Sequence, residues 1–205
     1  MSNQNNNHWD QVFQGEGYHY GTEPNDFLRE HFDAIPAGGR VLCIGEGEGR
    51  NAVFLAEQGY VVTALDHSAV GLKKTRELAQ TKGVSITTVQ MDLLDYEFGN
   101  NRWDGIVSIF CHLPPALRRK VHTAIPFALR PNGVMLLEGY RPKQLEYGTG
   151  GPSNVEMLYD LGTLEKEFQP LTHVIAQEVE RHIEEGKGHQ GISATVQYLG
   201  RHQNY

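Results

Sequence analysis

Cysteine is scarce in this 205-residue chain: only Cys43 and Cys111 occur, each inside an apolar run and neither in a Cys-x-x-Cys pair. That argues against a disulfide framework, supplies no metal set and suits a reducing cytoplasm. Positive charge is in deficit too, with 18 Lys and Arg against 25 Asp and Glu and a formal net charge of -7. Such a surface repels nucleic acid and anionic membranes, so small molecules are the expected partners. No apolar stretch approaches the ~20 residues of a membrane span, and residues 1–7 are polar rather than basic and then apolar, so export is not expected. The 39% of hydrophobic residues at this length suffices for one sizeable core and one domain.

What is present is an alternation. Residues 1–7, mostly Asn, read as a disordered tail, with order starting near His8. Trp9, Val12, Phe13, Tyr18 and Tyr20 then supply apolar and aromatic groups able to cover something. From Val41 onward, short runs rich in Val and Ile are each followed by a segment of helical spacing, the signature of parallel β-α-β units. Strands are expected at 41–44, 61–65, 86–91, 105–110 and 134–138. The first helix covers about 51–58 and stops at Gly59; a second is capped by Ser68; a third starts near Pro114-Pro115 and ends before Pro131-Asn132-Gly133. The glycine-rich stretch 139–153 reads as a loop long enough to suspect function. A short helix at 163–168 precedes two β-rich runs, 173–183 and 192–199, joined by 184–191 as an antiparallel hairpin at the sheet edge.

The strand at 41–44 runs into Gly45-Glu46-Gly47-Glu48-Gly49, and Asp66 ends the next strand 21 residues after Gly45. Glycines let backbone turn tightly beside a ligand, and an acid about 20 residues on accepts from both hydroxyls of a ribose, so the pattern points to a bound nucleoside. A dinucleotide fingerprint places its third glycine where this chain has Arg50. Its loop must also accept a pyrophosphate, which Glu46 and Glu48 would repel, whereas a sulfonium cation would be tolerated or favoured.

Val41-Leu42-Cys43-Ile44-Gly45-Glu46-Gly47-Glu48-Gly49-Arg50-Asn51-Ala52 resembles motif I of class I S-adenosylmethionine-dependent methyltransferases, particularly the tellurite-resistance/thiopurine-methyltransferase-like bacterial group. Tyr20-Gly21-Thr22-Glu23-Pro24-Asn25 resembles that group's N-terminal cofactor lid, and Met91-Asp92-Leu93 its third-strand motif. Thr149-Gly150-Gly151-Pro152 and Glu185-Gly186-Lys187-Gly188-His189 are similar to it as well, so that the resemblance covers about residues 9–202. It implies a Rossmann-like, doubly wound, mostly parallel seven-stranded α/β sheet with a C-terminal antiparallel hairpin, one domain at 8–205, and 8–35 as cofactor lid. It further implies that S-adenosylmethionine is bound by Gly45, Glu46, Gly47, Gly49, Arg50, Asn51 and Ile109, with Tyr20 from the lid. Asp66 would take the ribose, His67 or Ser68 would flank the adenine, and Asp92 with Leu93 would close the ring's far side. Asp92 also reads as a solvated turn acid, and Arg50 as a surface cation. One departure stands out: Cys43 occupies the position, two before Gly45, where such enzymes commonly carry an acid, and Glu46 is the group available to take over contacts to the methionine end.

Methyl transfer is an in-line displacement that needs positioning and dryness and no protein nucleophile. The acceptor is expected beyond the carboxyl ends of strands 1 and 4, where Phe110-Cys111-His112-Leu113-Pro114 follows the fourth strand. His112 could take a proton from the acceptor, or be a packed or capping residue; His189 is a second candidate, or an exposed loop residue. Arg141 and Tyr147 could hold an anionic or polar acceptor, and Tyr18 and Tyr20 could close over the methyl group or simply pack. Cys43 and Cys111 read as small packing residues. The leading expectation is methyl transfer to a small thiol, amine or metalloid oxyanion; the alternatives are a non-catalytic binder of S-adenosylmethionine or its homocysteine product, and a nicotinamide oxidoreductase.

Overall fold

A computed structural model describes residues 5–203. Its strands are β1 (Arg40–Ile44), β2 (Val61–Asp66), β3 (Thr87–Gln90), β4 (Trp103–Ile109), β5 (Leu129–Tyr140), β6 (Thr172–Glu185) and β7 (His189–Arg201). They form one sheet in the order β3-β2-β1-β4-β5-β7-β6. The first five run parallel, while β7 is antiparallel to both β5 and β6. This is the doubly wound, mostly parallel seven-stranded sheet with a terminal hairpin that the resemblance implies, and its parallel units and hairpin are those the alternation and the two β-rich runs predict.

The helices are α1 (Asn5–Phe13), α2 (Asp26–His31), α3 (Arg50–Glu57), α4 (Ala69–Lys82), α5 (Pro115–Ala128), α6 (Gln144–Tyr147) and α7 (Leu161–Glu167). Parallel strands covered on both faces need apolar residues at every position, and successive side chains of β1 show why. Val41 and Cys43 enter one core with Phe27 and Leu28 of α2, Leu55 of α3 and Leu72 of α4; Leu42 and Ile44 enter the other with Val121 and Ile125 of α5 and Leu164 of α7. Each large aliphatic side chain so buried contributes roughly 1.5–3 kcal/mol. Helix ends follow local chemistry. The Gly71 N–H donates to Ser68 Oγ at 3.0 Å at the start of α4, Gly59 takes φ +89° just after α3, and Pro115 opens α5.

Several expectations change. The chain is already helical at Asn5, inside the segment read as a disordered tail, while residues 1–4 lie outside the described residues. The strand expected at 86–91 is shorter, 87–90. The hairpin is longer than its apolar runs, because cross-strand pairing continues to Glu185↔His189. His189 therefore sits on the first residue of β7 and is not a loop residue. The glycine-rich stretch after β5 is no open loop either: Gln144 Oε1 accepts from the Ala194 N–H at 2.8 Å and the Thr149 hydroxyl donates to Ile192 O at 2.7 Å, pinning it to β7. No helix among the described residues is long and apolar enough to cross a membrane.

Candidate active site

Strand order reverses between β1 and β4, which opens a crevice at their carboxyl ends. A cavity of about 460 Å³ occupies it, floored by the glycine loop, walled by residues 109–114 and 91–93, and roofed by Trp9 and Phe13 of α1 with Tyr20 and Gly21. The loop needs its glycines for space as much as for conformation. Gly45 has φ +60°, and a Cβ there would lie 2.5 Å from Cys111 Sγ. Gly49 has φ +95° and faces Thr75 of α4, with 2.7 Å to a built Cβ. Gly49 is absent from the cavity lining and packs the start of α3 against Thr75 of α4.

Three carboxylates surround the loop, and their bonding separates them. Glu48, expected to face the ligand, is consumed by the roof: its Oε2 accepts from the His19 N–H at 2.7 Å and its Oε1 pairs with Lys74 Nζ at 2.8 Å. Asp66 binds the loop itself, Oδ2 accepting from Gly47 N–H (2.8 Å) and Oδ1 from Ser68 N–H (2.7 Å). Each Asp66 oxygen keeps a second acceptor site, and burial raises its pKa. Glu46 Oε1 accepts from the Asn51 and Ala52 N–H groups at 3.0 and 2.8 Å, filling the N-terminus of α3. Both recorded bonds of Glu46 use Oε1, and the residue lines the cavity. Loss of bulk water pushes this carboxyl up to about 7, against the lowering pull of the Ala52 N–H and Arg50.

At the β2–β3 end, His67, Met91, Asp92 and Leu93 line the cavity. Asp92 also closes its own turn, Oδ1 accepting from Leu94 N–H at 2.8 Å. Ser68 does not line it; its hydroxyl caps α4 and donates to Asp10. At the α3 end, Arg50 is no surface cation. It is 6% exposed and pairs with Glu185 Oε2 at 2.6 Å. Asn51 Oδ1 accepts from Asn25 N–H at 2.9 Å, and Asn25 Nδ2 donates to Glu138 at 2.6 Å and to Glu185 at 2.9 Å. The fully buried Glu138 also accepts from Arg181, Thr195 and Gln197. This network clamps the roof segment, α3 and the hairpin together, and removing one partner from such a cluster costs about 3–5 kcal/mol. Asn25, Arg50, Asn51 and Glu185 fall within the motifs quoted from the sequence, whereas Glu138 signalled itself only as a carboxylate closing an apolar strand.

The opposite wall is formed by Ile109, Phe110, Cys111, His112, Leu113, Pro114, Leu117, Met157, Tyr20 and His189. Phe110 takes φ +51°, a strained conformation for a non-glycine residue. Its ring lies 4.4 Å from His189 and 4.6 Å from Tyr140, and Tyr20 packs 4.5 Å from His189. His189 is 6% exposed and lines the cavity; its Nδ1 is buried without a hydrogen-bond partner among the described residues, 3.8 Å from Glu185 Oε2. Burial lowers its pKa, so the ring is neutral at pH 7.

The other expected acceptor residues behave differently. His112 has both nitrogens committed, Nδ1 donating to Met157 O at 3.0 Å and Nε2 accepting from Tyr140 N–H at 3.1 Å. Burial takes its pKa to about 4. It is a neutral bracket, because accepting a proton would forfeit the Tyr140 bond. Arg141 points away from the cavity to Glu178 and Glu180 of β6, both at 3.2 Å, and Tyr147 donates to Glu180. Tyr18 packs against Val53 and Leu78 outside the lining. Cys43 is fully buried between β1's neighbours, and burial holds the Cys111 thiol up at about 12. Leu117 and Met157 had no sequence signal, since the chain returns them from α5 and from beyond α6.

These features fit S-adenosylmethionine: a glycine cradle with no room for side chains, an acid at the end of β2, and a cavity-lining carboxylate, Glu46, for a cation. They do not fit a pyrophosphate, because Glu46 already occupies the α3 amides that such an anion would use.

Residues 41–133, just under half of the chain, match the family model of a methyltransferase domain. A curated relative from Bacillus subtilis (strain 168), uncharacterized methyltransferase YbaJ, is 34% identical over 87 residues, covering 42% of this chain and 34% of that one. Glycine/sarcosine N-methyltransferase of Halorhodospira halochloris is 34% identical over 105 residues, covering 48% and 39%. The chain thus spans little more than a third of either relative's length. Among solved structures, a protein studied for conversion of a disulfide bond into a thioacetal group during echinomycin biosynthesis superposes with TM-score 0.76, 20% identity and 95% and 90% coverage. TehB from Haemophilus influenzae superposes with TM-score 0.69, 18% identity and 87% and 62% coverage. Likeness at these identities establishes the fold.

Proposed function

We propose that this chain is an S-adenosylmethionine-dependent methyltransferase acting on a small, uncharged nucleophile of the thiol or amine type. The observation that carries the reading is Glu46: the chain's own carboxylate fills the helix N-terminus behind the glycine loop and turns an anion site into one suited to a cation. The methyltransferase-domain match over residues 41–133 supports it.

The bound sulfonium would supply an electrophilic methyl group. Asp66 would hold the ribose through its remaining lone pairs, with His67 and residues 91–93 around the base. Gly45 and Gly47 would let the ligand approach the backbone, while residues 8–35 act as a lid. Phe110, Leu113, Leu117 and Met157 would exclude water from the transfer path. His189 would take the acceptor's proton on Nε2, its Nδ1 proton directed toward Glu185.

Charge narrows the acceptor. Arg50 is the only Lys or Arg among the described lining residues, and Glu185 already neutralises it. A metalloid oxyanion would have no free cation to meet. The activity named for the Halorhodospira relative, N-methylation, agrees with an amine.

Calorimetric titration with S-adenosylmethionine, S-adenosylhomocysteine and NAD, on the wild type and on Asp66→Ala, followed by a mass-spectrometric acceptor screen, tests the proposal. The first two ligands bind, the variant loses at least about tenfold in affinity, and a thiol or amine gains 14 mass units per methyl. Binding of NAD alone would refute the cofactor, and tight binding without turnover over a broad panel would leave a binding protein.

A further inference from the structure

We infer that the two glycine motifs Thr149-Gly150-Gly151-Pro152 and Gly186-Lys187-Gly188 form a seat that positions His189 for its work on the acceptor. Gly150 sets the edge of the ring, and Gly188 makes room for the Tyr20 ring that packs on it. This rests on the reading of His189 given above and goes further, naming the residues that hold the ring in place.

At residue 150 the backbone itself is the contact surface. A Cβ built there would lie 3.3 Å from His189 Cδ2, 2.8 Å from Gly188 O and 2.9 Å from the Tyr140 hydroxyl oxygen, and φ is +147°, so a larger residue meets both crowding and strain. The stretch is tied down on either side of this contact. Gln144 Nε2 donates to Gly150 O at 3.2 Å and to Thr149 Oγ1 at 2.9 Å. The same Gln144 accepts from the Ala194 N–H, and the Thr149 hydroxyl donates to Ile192 O, so the loop is fastened to the strand that His189 begins.

On the hairpin turn, the glycines admit the roof segment. The Lys187 N–H donates to His19 O at 2.7 Å. A Cβ at Gly186 would overlap that same oxygen, and a Cβ at Gly188 would overlap Tyr20 Cε1. With both methyl groups absent, His19 and Tyr20 settle on the turn, and the Tyr20 ring comes to 4.5 Å from that of His189. Phe110 and Tyr140, at 4.4 and 5.4 Å, complete the packing, with Nδ1 left 3.8 Å from Glu185 Oε2. A general base needs such a fixed orientation, because proton transfer works only within hydrogen-bond reach and a misplacement of about 1 Å can cost about a hundredfold in rate. The two turn glycines differ usefully: Gly186 has φ +67°, whereas Gly188 lies outside the left-handed region, so its glycine serves space alone.

The test adds one methyl group at each contact, in Gly188→Ala and Gly150→Ala, and reads three quantities. These are single-turnover methyl transfer to 2-mercaptoethanol or aniline, whichever wild type methylates; S-adenosylhomocysteine affinity by calorimetry; and the NMR signals of the His189 ring nitrogens. The last report whether one tautomer or an average of two is present, and they need no acceptor. Expected in both variants are transfer slowed by about 10–100-fold, affinity within about threefold of wild type, and ring signals moved from a single tautomer toward the average of two. Gly188→Ala brings no left-handed strain, so it decides the matter even where Gly150→Ala does not fold. Wild-type transfer by Gly188→Ala with unchanged ring signals would overturn the inference. So would a loss of transfer with the ring signals unchanged, which would make these glycines structural residues of the hairpin. If His189→Gln transfers methyl at the wild-type rate, the reading of His189 itself has failed, and that outcome is distinct from both.

Discussion

On the side of the cavity proposed for the cofactor, Gly45, Glu46, Gly47 and Asp66 come from one β-α-β unit, and their positions are fixed by hydrogen bonds such as Gly47 N–H to Asp66. On the side proposed for the acceptor, Tyr20, Phe110, Met157 and His189 come from four separate segments, and the rings of Tyr20 and Phe110 pack on His189. The first wall is polar, prearranged and dictated by short-range chain geometry. The second is mostly aromatic and apolar, includes His189, and is assembled from the hairpin, the roof segment and the sheet together. Binding and chemistry should therefore separate cleanly under mutation.

The largest effect is expected at His189. His189→Gln preserves much of the side-chain volume among Tyr20, Phe110 and Tyr140 but cannot take a proton. Turnover should fall by about 10²–10⁴-fold while cofactor affinity stays within about threefold of wild type. Single-turnover rates and calorimetry together check this. Equal losses in both would show that the walls are one unit.

Gly45→Ala tests the opposite wall. The new methyl would meet Cys111 Sγ at 2.5 Å with the backbone held at φ +60°. Overpacking of this kind costs about 1–3 kcal/mol, with left-handed strain adding to it, so cofactor affinity should drop by about a hundredfold. Relief is instructive: a double variant Gly45→Ala/Cys111→Gly, which clears the sulfur, should recover part of the affinity. No recovery would mean that the backbone conformation, and not the space, sets the cost.

The same contrast explains what the sequence discloses. β1, the glycine loop and Asp66 are legible because each depends on neighbours within one supersecondary unit, where residue type and spacing determine conformation. The hairpin is legible as two β-rich runs, but its length is not, since the polar residues of β6 pair through backbone, and this moved His189 from a supposed loop onto a strand. His112 and Arg141 look alike as candidates on paper, each closely following a strand that leads to the site. Only tertiary partners distinguish them from His189: Met157 and Tyr140 occupy one, Glu178 and Glu180 the other. The roof's aromatic residues signalled that something is covered, and only the fold shows that it is this cavity.

A smaller effect follows from His112. Burial lowers its pKa to about 4, below the unfolded value near 6.5, so the unfolded chain binds a proton that the folded chain refuses. Stability is then full above pH 6.5 and declines as pH falls toward 4, by at most about 3 kcal/mol from this residue. Denaturant titrations across that range should show the decline, and a His112→Gln variant should flatten it while lowering stability at pH 7. A pH profile that His112→Gln leaves unchanged would assign the acid sensitivity elsewhere, with the buried His122 beside Glu167 the first place to look.

Arg141→Ala should do least, and that makes it a sharp test of where the acceptor wall ends. The guanidinium reaches Glu178 and Glu180 at 3.2 Å, but these carboxylates are 44% and 38% exposed, so water compensates for most of the lost attraction. Glu180 also keeps Lys143 at 2.7 Å and the Tyr147 hydroxyl. Expected are a stability loss below about 1 kcal/mol by chemical denaturation and turnover indistinguishable from wild type. A tenfold loss of turnover would require the end of β5 to reach the acceptor after all, extending the aromatic wall by a cation and reopening the case for an anionic substrate.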